Sequence, residues 1–218
     1  MKKFGLILTA VLVMVMAQVG SAFAWGVTAE DDPFAPGKWL LGGTTGLDFG
    51  FGTDTYEPED GDEVETDVMQ LGLGLQGGYF VLKGWEIGLA ARYDYEQQTD
   101  EDDNMMSSGE YLVGLQTGYY YATPVPVHPF VNVEVGYAGR FTNFEPDQGD
   151  ETSDIAGGLG IRPSVGAMFF FTDKVALTPS IYYQYTSLSG TDDTSGTEFD
   201  YDATSSRCGF QIGIVGIL

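Results

Sequence analysis

The sequence predicts an all-β chain whose eight antiparallel strands run up and down and close into a barrel. Three observations predict it. Eight segments alternate, residue by residue, between an apolar row and a polar or small row. The connections between them alternate long and short, and the aromatic residues of the apolar row gather at the segment ends. A strand points successive side chains to opposite faces, so strict alternation means two faces in two different surroundings. The 218 residues include 31 glycines, 13 tyrosines and 14 phenylalanines without helical periodicity, which agrees with an all-β reading.

The first segment, 38–52, carries Trp39, Leu41, Gly43, Thr45, Leu47, Phe49 and Phe51 on its apolar row and Asp48 on the other. The second, 67–81, sets Met69, Leu71, Leu73, Leu75, Gly77 and Tyr79 against Gln70, Gly72, Gly74, Gln76 and Phe80. In 85–96, Trp85, Ile87, Leu89, Ala91, Tyr93 and Tyr95 oppose Glu86, Arg92 and Asp94. In 109–122, Tyr111, Val113, Leu115, Thr117, Tyr119 and Tyr121 oppose Glu110, Gln116 and Tyr120. The fifth, 128–141, runs by twos from Pro129 to Phe141 against Phe130, Glu134 and Arg140. The sixth, 155–171, runs from Ile155 to Phe171 against Arg162, Met168 and Phe170. Its Pro163 removes one ladder donor in mid-strand, which predicts a bulge or a gap in pairing. The seventh, 175–186, and the eighth, 206–218, keep the pattern, with Gln184, Arg207 and Gln211 on the polar row and Cys208 on the apolar one. No apolar row carries a charge.

A soluble β-sandwich also alternates, so the remaining features decide. Connections 53–66, 97–108, 142–154 and 187–205 are long and polar, whereas 82–84, 123–127 and 172–174 are tight. Outward aromatics gather beside the short turns (Trp39, Tyr79, Trp85, Tyr119, Tyr121, Phe169, Phe171) and again toward the long connections (Phe49, Phe51, Tyr93, Tyr95, Tyr111, Tyr137, Phe141, Tyr183, Tyr185), with Leu, Ile and Val between. Dyad period, unequal loops and aromatic girdles are the marks of a transmembrane β-barrel of outer-membrane type. A spanning sheet must close, because an edge in lipid leaves backbone groups unpaired.

The N-terminus agrees. Lys2 and Lys3 precede an apolar run and an Ala22-Phe23-Ala24 site, which predicts a signal peptide over 1–24, a short N-terminal segment over 25–37 and the barrel over 38–218. The lone Cys208 excludes an intramolecular disulfide. Nine basic residues less Lys2 and Lys3 leave seven against 32 acidic, a net charge of −25 after cleavage. Nothing in such a chain neutralises phosphates, so a nucleic-acid partner is excluded.

These patterns, over 38–218, resemble the small eight-stranded outer-membrane barrels typified by the OmpA transmembrane domain and OmpX. The resemblance implies a monomer in the bacterial outer membrane, with both termini periplasmic and long loops extracellular. Its implied partners are outer-membrane lipid, lipopolysaccharide and the barrel-insertion machinery. Such barrels usually close on an aromatic residue that this machinery reads; here Phe210, Ile212 and Ile214 are in phase, but the last residue is Leu218.

The basic residues sort by position. Lys38, Lys83 and Lys174 lie at the short-turn end, and Arg92, Arg140, Arg162 and Arg207 on the inward row. With Asp48, Asp94, Glu110 and Glu134, the arginines are expected to form an ion network filling the lumen, since eight strands leave barely enough room for their own side chains. Phe80, Tyr120, Phe130, Met168 and Phe170 are expected to form an apolar plug near the short turns. Inward glycines (Gly72, Gly74, Gly114, Gly118, Gly158, Gly160) suggest a watery cavity above it. The long connections, together with Asp67 at the edge of the second segment, hold 22 carboxylates and no Lys or Arg. Asp60, Asp62, Glu63, Asp102 and Asp103 are candidates for loosely bound Ca²⁺ or Mg²⁺, which take hard oxygen ligands, although neither acidic stretch has EF-hand spacing. No other cofactor is expected.

No catalytic residue is predicted. The only histidine, His128, falls at the short-turn end, and no Ser-His-Asp arrangement can be built at the long-loop end without one. The sequence therefore points to a non-enzymatic barrel with a structural or surface-interaction role. A narrow cation-preferring channel for small solutes is the alternative.

Overall fold

The computed structural model describes residues 32–58, 64–99, 105–145, 152–192 and 199–218. Eight strands follow in order: β1 (Trp39–Pro58), β2 (Val64–Leu82), β3 (Trp85–Thr99), β4 (Met105–Tyr120), β5 (Val127–Glu145), β6 (Thr152–Phe170), β7 (Val175–Asp192) and β8 (Phe199–Ile217). Each pairs antiparallel with the next, and β8 pairs back onto β1, so the sheet is a closed barrel without an edge.

At the long-connection end the strands run further than alternation predicted. β1 and β2 stay paired out to Tyr56↔Val64, and β7 and β8 to Asp192↔Phe199. Much of 53–66, 97–108, 142–154 and 187–205 is therefore hairpin arm rather than loop. A spanning strand needs about 9–11 residues, and β1 has 20. Beyond a bilayer the outward face meets water, so an apolar outward row is no longer required, yet backbone groups still need partners. Arms such as "TDTYE" (53–57) and "FDYDAT" (199–204) supply the Thr and aromatic residues that suit a pleated ribbon.

Two irregularities mark the ladder. Thr44 pairs with Gly74 and Gly213, while Asp48 pairs with Gly72 and Gln211, so β1 carries two more residues here than either neighbour. An even insertion leaves every later side chain on its own face, which is why the alternation survives it. At Pro163, pairing with Val133 on β5 is kept, but the β6–β7 ladder skips from Ile161↔Tyr185 to Ser164↔Tyr182. The same number of residues is skipped on both strands, so the feature is a gap, not a bulge. Pro179 on β7 sits in a second gap of the same seam, between Gly166↔Ser180 and Phe169↔Leu177.

Among the described side chains the apolar row faces outward. Leu75, Leu89, Leu115 and Leu159 are each at least 64 % exposed, a surface that only lipid would cover. Trp39 packs against Tyr79, and Tyr93 stacks on Phe141, within the two aromatic belts. Thr117, on the outward row of β4, accepts a hydrogen bond from Trp85 Nε1 (2.9 Å) and donates to the Glu86 carbonyl (2.9 Å), so its hydroxyl is satisfied on the lipid side. Cys208 is a free thiol on the outward row of β8.

Candidate functional site

Inside the barrel the inward row builds three zones. The zone nearest the short turns is apolar: Leu40, Phe80, Tyr120, Phe130, Met168, Ala176, Val215 and Ile217 are buried together, with Phe170 packed against them. All five residues expected in a plug are thus brought together here. The centre of the cluster is one that alternation did not offer. Phe34, fully buried, lies 5.6 Å from the Phe80 ring, 5.4 Å from Tyr120, 5.1 Å from His128 and 6.2 Å from Phe170. It is carried by the stretch before β1, which turns back into the barrel at Gly37, a residue with φ of 95° that a side chain would strain.

Backbone bonds and an ion pair pin this stretch, among them the Phe80 amide donating to the Lys38 carbonyl at 3.0 Å. The Gly37 amide donates to the Phe80 carbonyl and the Gly84 amide to the Phe34 carbonyl, both at 2.9 Å, while Lys83 Nζ lies 2.8 Å from Asp32. Burial pushes the Asp32 carboxyl up, but the Lys83 hydrogen bond, the Phe34 amide and the lysine charges outweigh it and hold it below its ordinary 3.8. A lowered folded value means that the bridge stabilises fully above the unfolded value and is lost as pH falls through the folded one. Protection of the Gly37 and Gly84 amides against hydrogen exchange is therefore expected to hold at neutral pH and fall below about pH 4. Asp32→Asn should show the reduced protection at every pH, and equal protection in both chains would remove the bridge from this role.

His128 is buried in the same zone. Its Nδ1 accepts from the Thr123 amide at 3.1 Å and its ring meets Phe34 and Phe170 edge-on, which makes it part of the plug wall.

The middle zone is charged. Arg92 forks onto Glu134, with Nε 3.0 Å from Oε2 and Nη2 on Oε1, and reaches Gln76 at 3.1 Å. Arg140 Nη2 meets Glu110 Oε2 at 2.6 Å, and Arg207 lies 3.6 Å from the same oxygen. The other oxygen of Glu110 accepts from Gln184 (2.7 Å) and Thr186 (3.3 Å). Arg162 meets Gln184 (3.0 Å), Gln211 (2.8 Å) and the face of Tyr182 (3.6 Å to the centroid), with Asp94 at 3.9 Å. The expected network residues Arg92, Asp94, Glu110, Glu134, Arg140, Arg162 and Arg207 all meet in this zone, whereas the Asp48 side chain lies outside the described residues.

Toward the long hairpins a second apolar cluster follows, made of Leu112, Ala138, Ala156, Leu188, Tyr201 and Ala203. The sequence reading missed it because Leu188, Tyr201 and Ala203 lie in a predicted loop. Three of the inward glycines expected to leave a watery cavity make room for neighbours instead: a Cβ on Gly160 would come against Leu112 and Ala138, one on Gly72 would overlap the Asp94 carboxylate, and one on Gly158 would overlap the Ser187 carbonyl. Among the described residues a lumen cavity of ≈ 10 Å³ lies between Arg92, Asn132, Glu134 and Ser180, room for about one water.

The candidate cation ligands Asp60, Asp62, Glu63, Asp102 and Asp103 lie outside the described residues. Among the described residues no group of three or more His, Cys, Asp or Glu is placed to hold a metal.

A closed eight-stranded sheet, apolar outside and charged within, defines an outer-membrane β-barrel protein. The chain belongs to the outer membrane protein beta-barrel domain family, whose model matches residues 7–211. Among solved structures it is similar to the outer membrane protein AlkL (13 % identity, 88 % of this chain and 95 % of that one, TM-score 0.53). It is also similar to OprG from Pseudomonas aeruginosa (14 % identity, 84 % and 97 %, TM-score 0.52). At such identities the likeness is one of fold. No curated protein sequence matches the chain.

Proposed function

We propose that this chain is a non-enzymatic, non-conducting barrel with a structural or surface-interaction role, its short-turn end and termini periplasmic and its long hairpins outside the cell. The filled lumen supports this reading more than any other observation. An apolar plug, a layer of bonded charges and a second apolar cluster occupy the lumen among the described residues, and the cavity beside Arg92 and Glu134 has room for about one water. What remains for interaction is the outer end, where hairpins rich in carboxylate and free of Lys and Arg would meet lipopolysaccharide phosphates through bridging Ca²⁺ or Mg²⁺. The sole histidine is committed to the plug wall, which fits a role without catalysis.

The test is planar-bilayer conductance of the refolded mature chain, with and without millimolar Ca²⁺. Silence in both conditions is expected. Discrete cation-selective steps would overturn the reading in favour of a narrow cation-preferring channel.

A further inference from the structure

Among the described side chains four carboxylates point into the lumen, and three have guanidinium partners: Glu134 with Arg92, Glu110 with Arg140 and Arg207, and Asp94 with Arg162. Glu86 is the exception. It is wholly buried on β3, its Oε1 accepts from Gln116 Nε2 at 2.8 Å, and its Oε2 has no hydrogen-bonding partner among the described residues. Of the other buried oxygens that share that condition, two lie on the next two strands, Gln116 Oε1 on β4 and Asn132 Oδ1 on β5, on side chains 1 % and 5 % exposed. Buried polar atoms without partners are rare in native proteins, and three on adjacent strands call for a common cause.

Strand register brings them together. Glu86 is opposite Gly118 on β4, and Gly118 is opposite Asn132 on β5, so one rung reads carboxylate, no side chain, amide. Gln116 is the next inward residue of β4. A Cβ built on Gly118 would lie 3.5 Å from Glu86 Oε2, 3.2 Å from Tyr120 Cε2 and 3.1 Å from the Val131 carbonyl. The missing side chain thus leaves a space about one small atom across. The Glu86 carboxylate itself is bedded on Gly78 and Gly88, where any Cβ would collide with it.

We propose that this rung binds one dehydrated monovalent cation, sodium, between Glu86, Gln116 and Asn132. All three are hard oxygen donors with lone pairs to spare. A proton on Glu86 would give a hydrogen bond to one of the other oxygens and leave the third unmet. A water would serve two oxygens but leave the carboxylate charge unbalanced in a dry interior. A divalent ion would overcharge the site, because the charge on nearby Glu134 is already matched by Arg92. A single positive charge that carries no hydrogens meets every requirement at once.

The test must separate this site from the acidic hairpins, which also attract cations. The refolded full-length mature chain is titrated with sodium chloride against choline chloride at constant ionic strength, following the urea unfolding midpoint. Retained sodium is counted by atomic emission after desalting. One tightly held sodium per chain is expected, with a midpoint that rises with sodium and not with choline; above saturation, each tenfold rise in free sodium shifts the folding equilibrium about tenfold. In Glu86→Gln, whose hairpins are unchanged, the sodium-specific rise and the retained ion should vanish. Gly118→Ala, which keeps the carboxylate and fills the space with a methyl group, should lose both as well, and it decides the matter if Glu86→Gln does not fold. Identical midpoints in sodium and choline for the unaltered chain, or a sodium effect that persists in both variants, would overturn the proposal.

Discussion

Glu110→Gln is expected to lower the unfolding free energy of the barrel by about 3–5 kcal/mol, the range for breaking a buried ion pair from one side. Glu110 is where the charged zone converges. One oxygen takes Arg140 at 2.6 Å with Arg207 at 3.6 Å, and the other takes Gln184 and Thr186. The amide has nearly the same shape, so packing is kept, but two buried guanidiniums then face a neutral group that turns N–H donors toward them. The urea midpoint of the refolded barrel in lipid measures the loss; a midpoint unmoved by the substitution would mean that the arginines find other acceptors at no cost. Arg162→Ala should likewise lower the midpoint, because Gln184, Gln211, the Tyr182 ring and Asp94 all meet its guanidinium.

Phe34→Ala should have an effect of similar size but confined in space. A buried Phe→Ala change typically costs about 3–5 kcal/mol, yet Phe34 is the one member of its cluster that no strand carries. The stretch holding it is tied by three backbone bonds and one ion pair whose lysine is exposed. That stretch can detach while the closed ladder stays intact, so the cost appears as local opening. Hydrogen exchange should quicken by roughly a hundredfold or more at the Gly37 and Gly84 amides, since each 1.4 kcal/mol is a factor of ten, while amides of β4 and β5 keep their protection. Loss of protection throughout the barrel would instead make Phe34 a cornerstone of the whole fold.

The sequence made some of this legible and hid the rest for definite reasons. The strands were readable wherever lipid faces one side, because there every outward residue from Trp39 to Leu218 must be uncharged. Where the strands run on past the aromatic belts, as over 53–58 and 199–205, the outward code lapses although the ladder continues, and those arms read as loops even though Tyr201 and Ala203 are buried inside. Inward residues were identifiable by parity, but their partners were not. Arg92 and Glu134 are 42 residues apart and Arg162 and Gln211 are 49 apart, and only the stagger between strands says which inward side chains share a level. The same ignorance of level made inward glycines look like room for water when Leu112, Asp94 and a carbonyl fill that room. Phe34 left no periodic signal at all; an isolated aromatic two residues after an aspartate in a short leading stretch was its only trace.

An up-and-down barrel gathers all its long hairpins at one end, and in this chain that end takes 22 carboxylates while Lys38, Lys83 and Lys174 collect at the other. Seen from a neighbouring copy, the molecule is a post with a negatively charged crown. Copies embedded in the same direction would bring crown to crown, and the repulsion reaches about 8 Å at physiological ionic strength. The lateral spacing of these proteins would then be set by dissolved salt: sparse where the water is fresh, crowded where it is brackish.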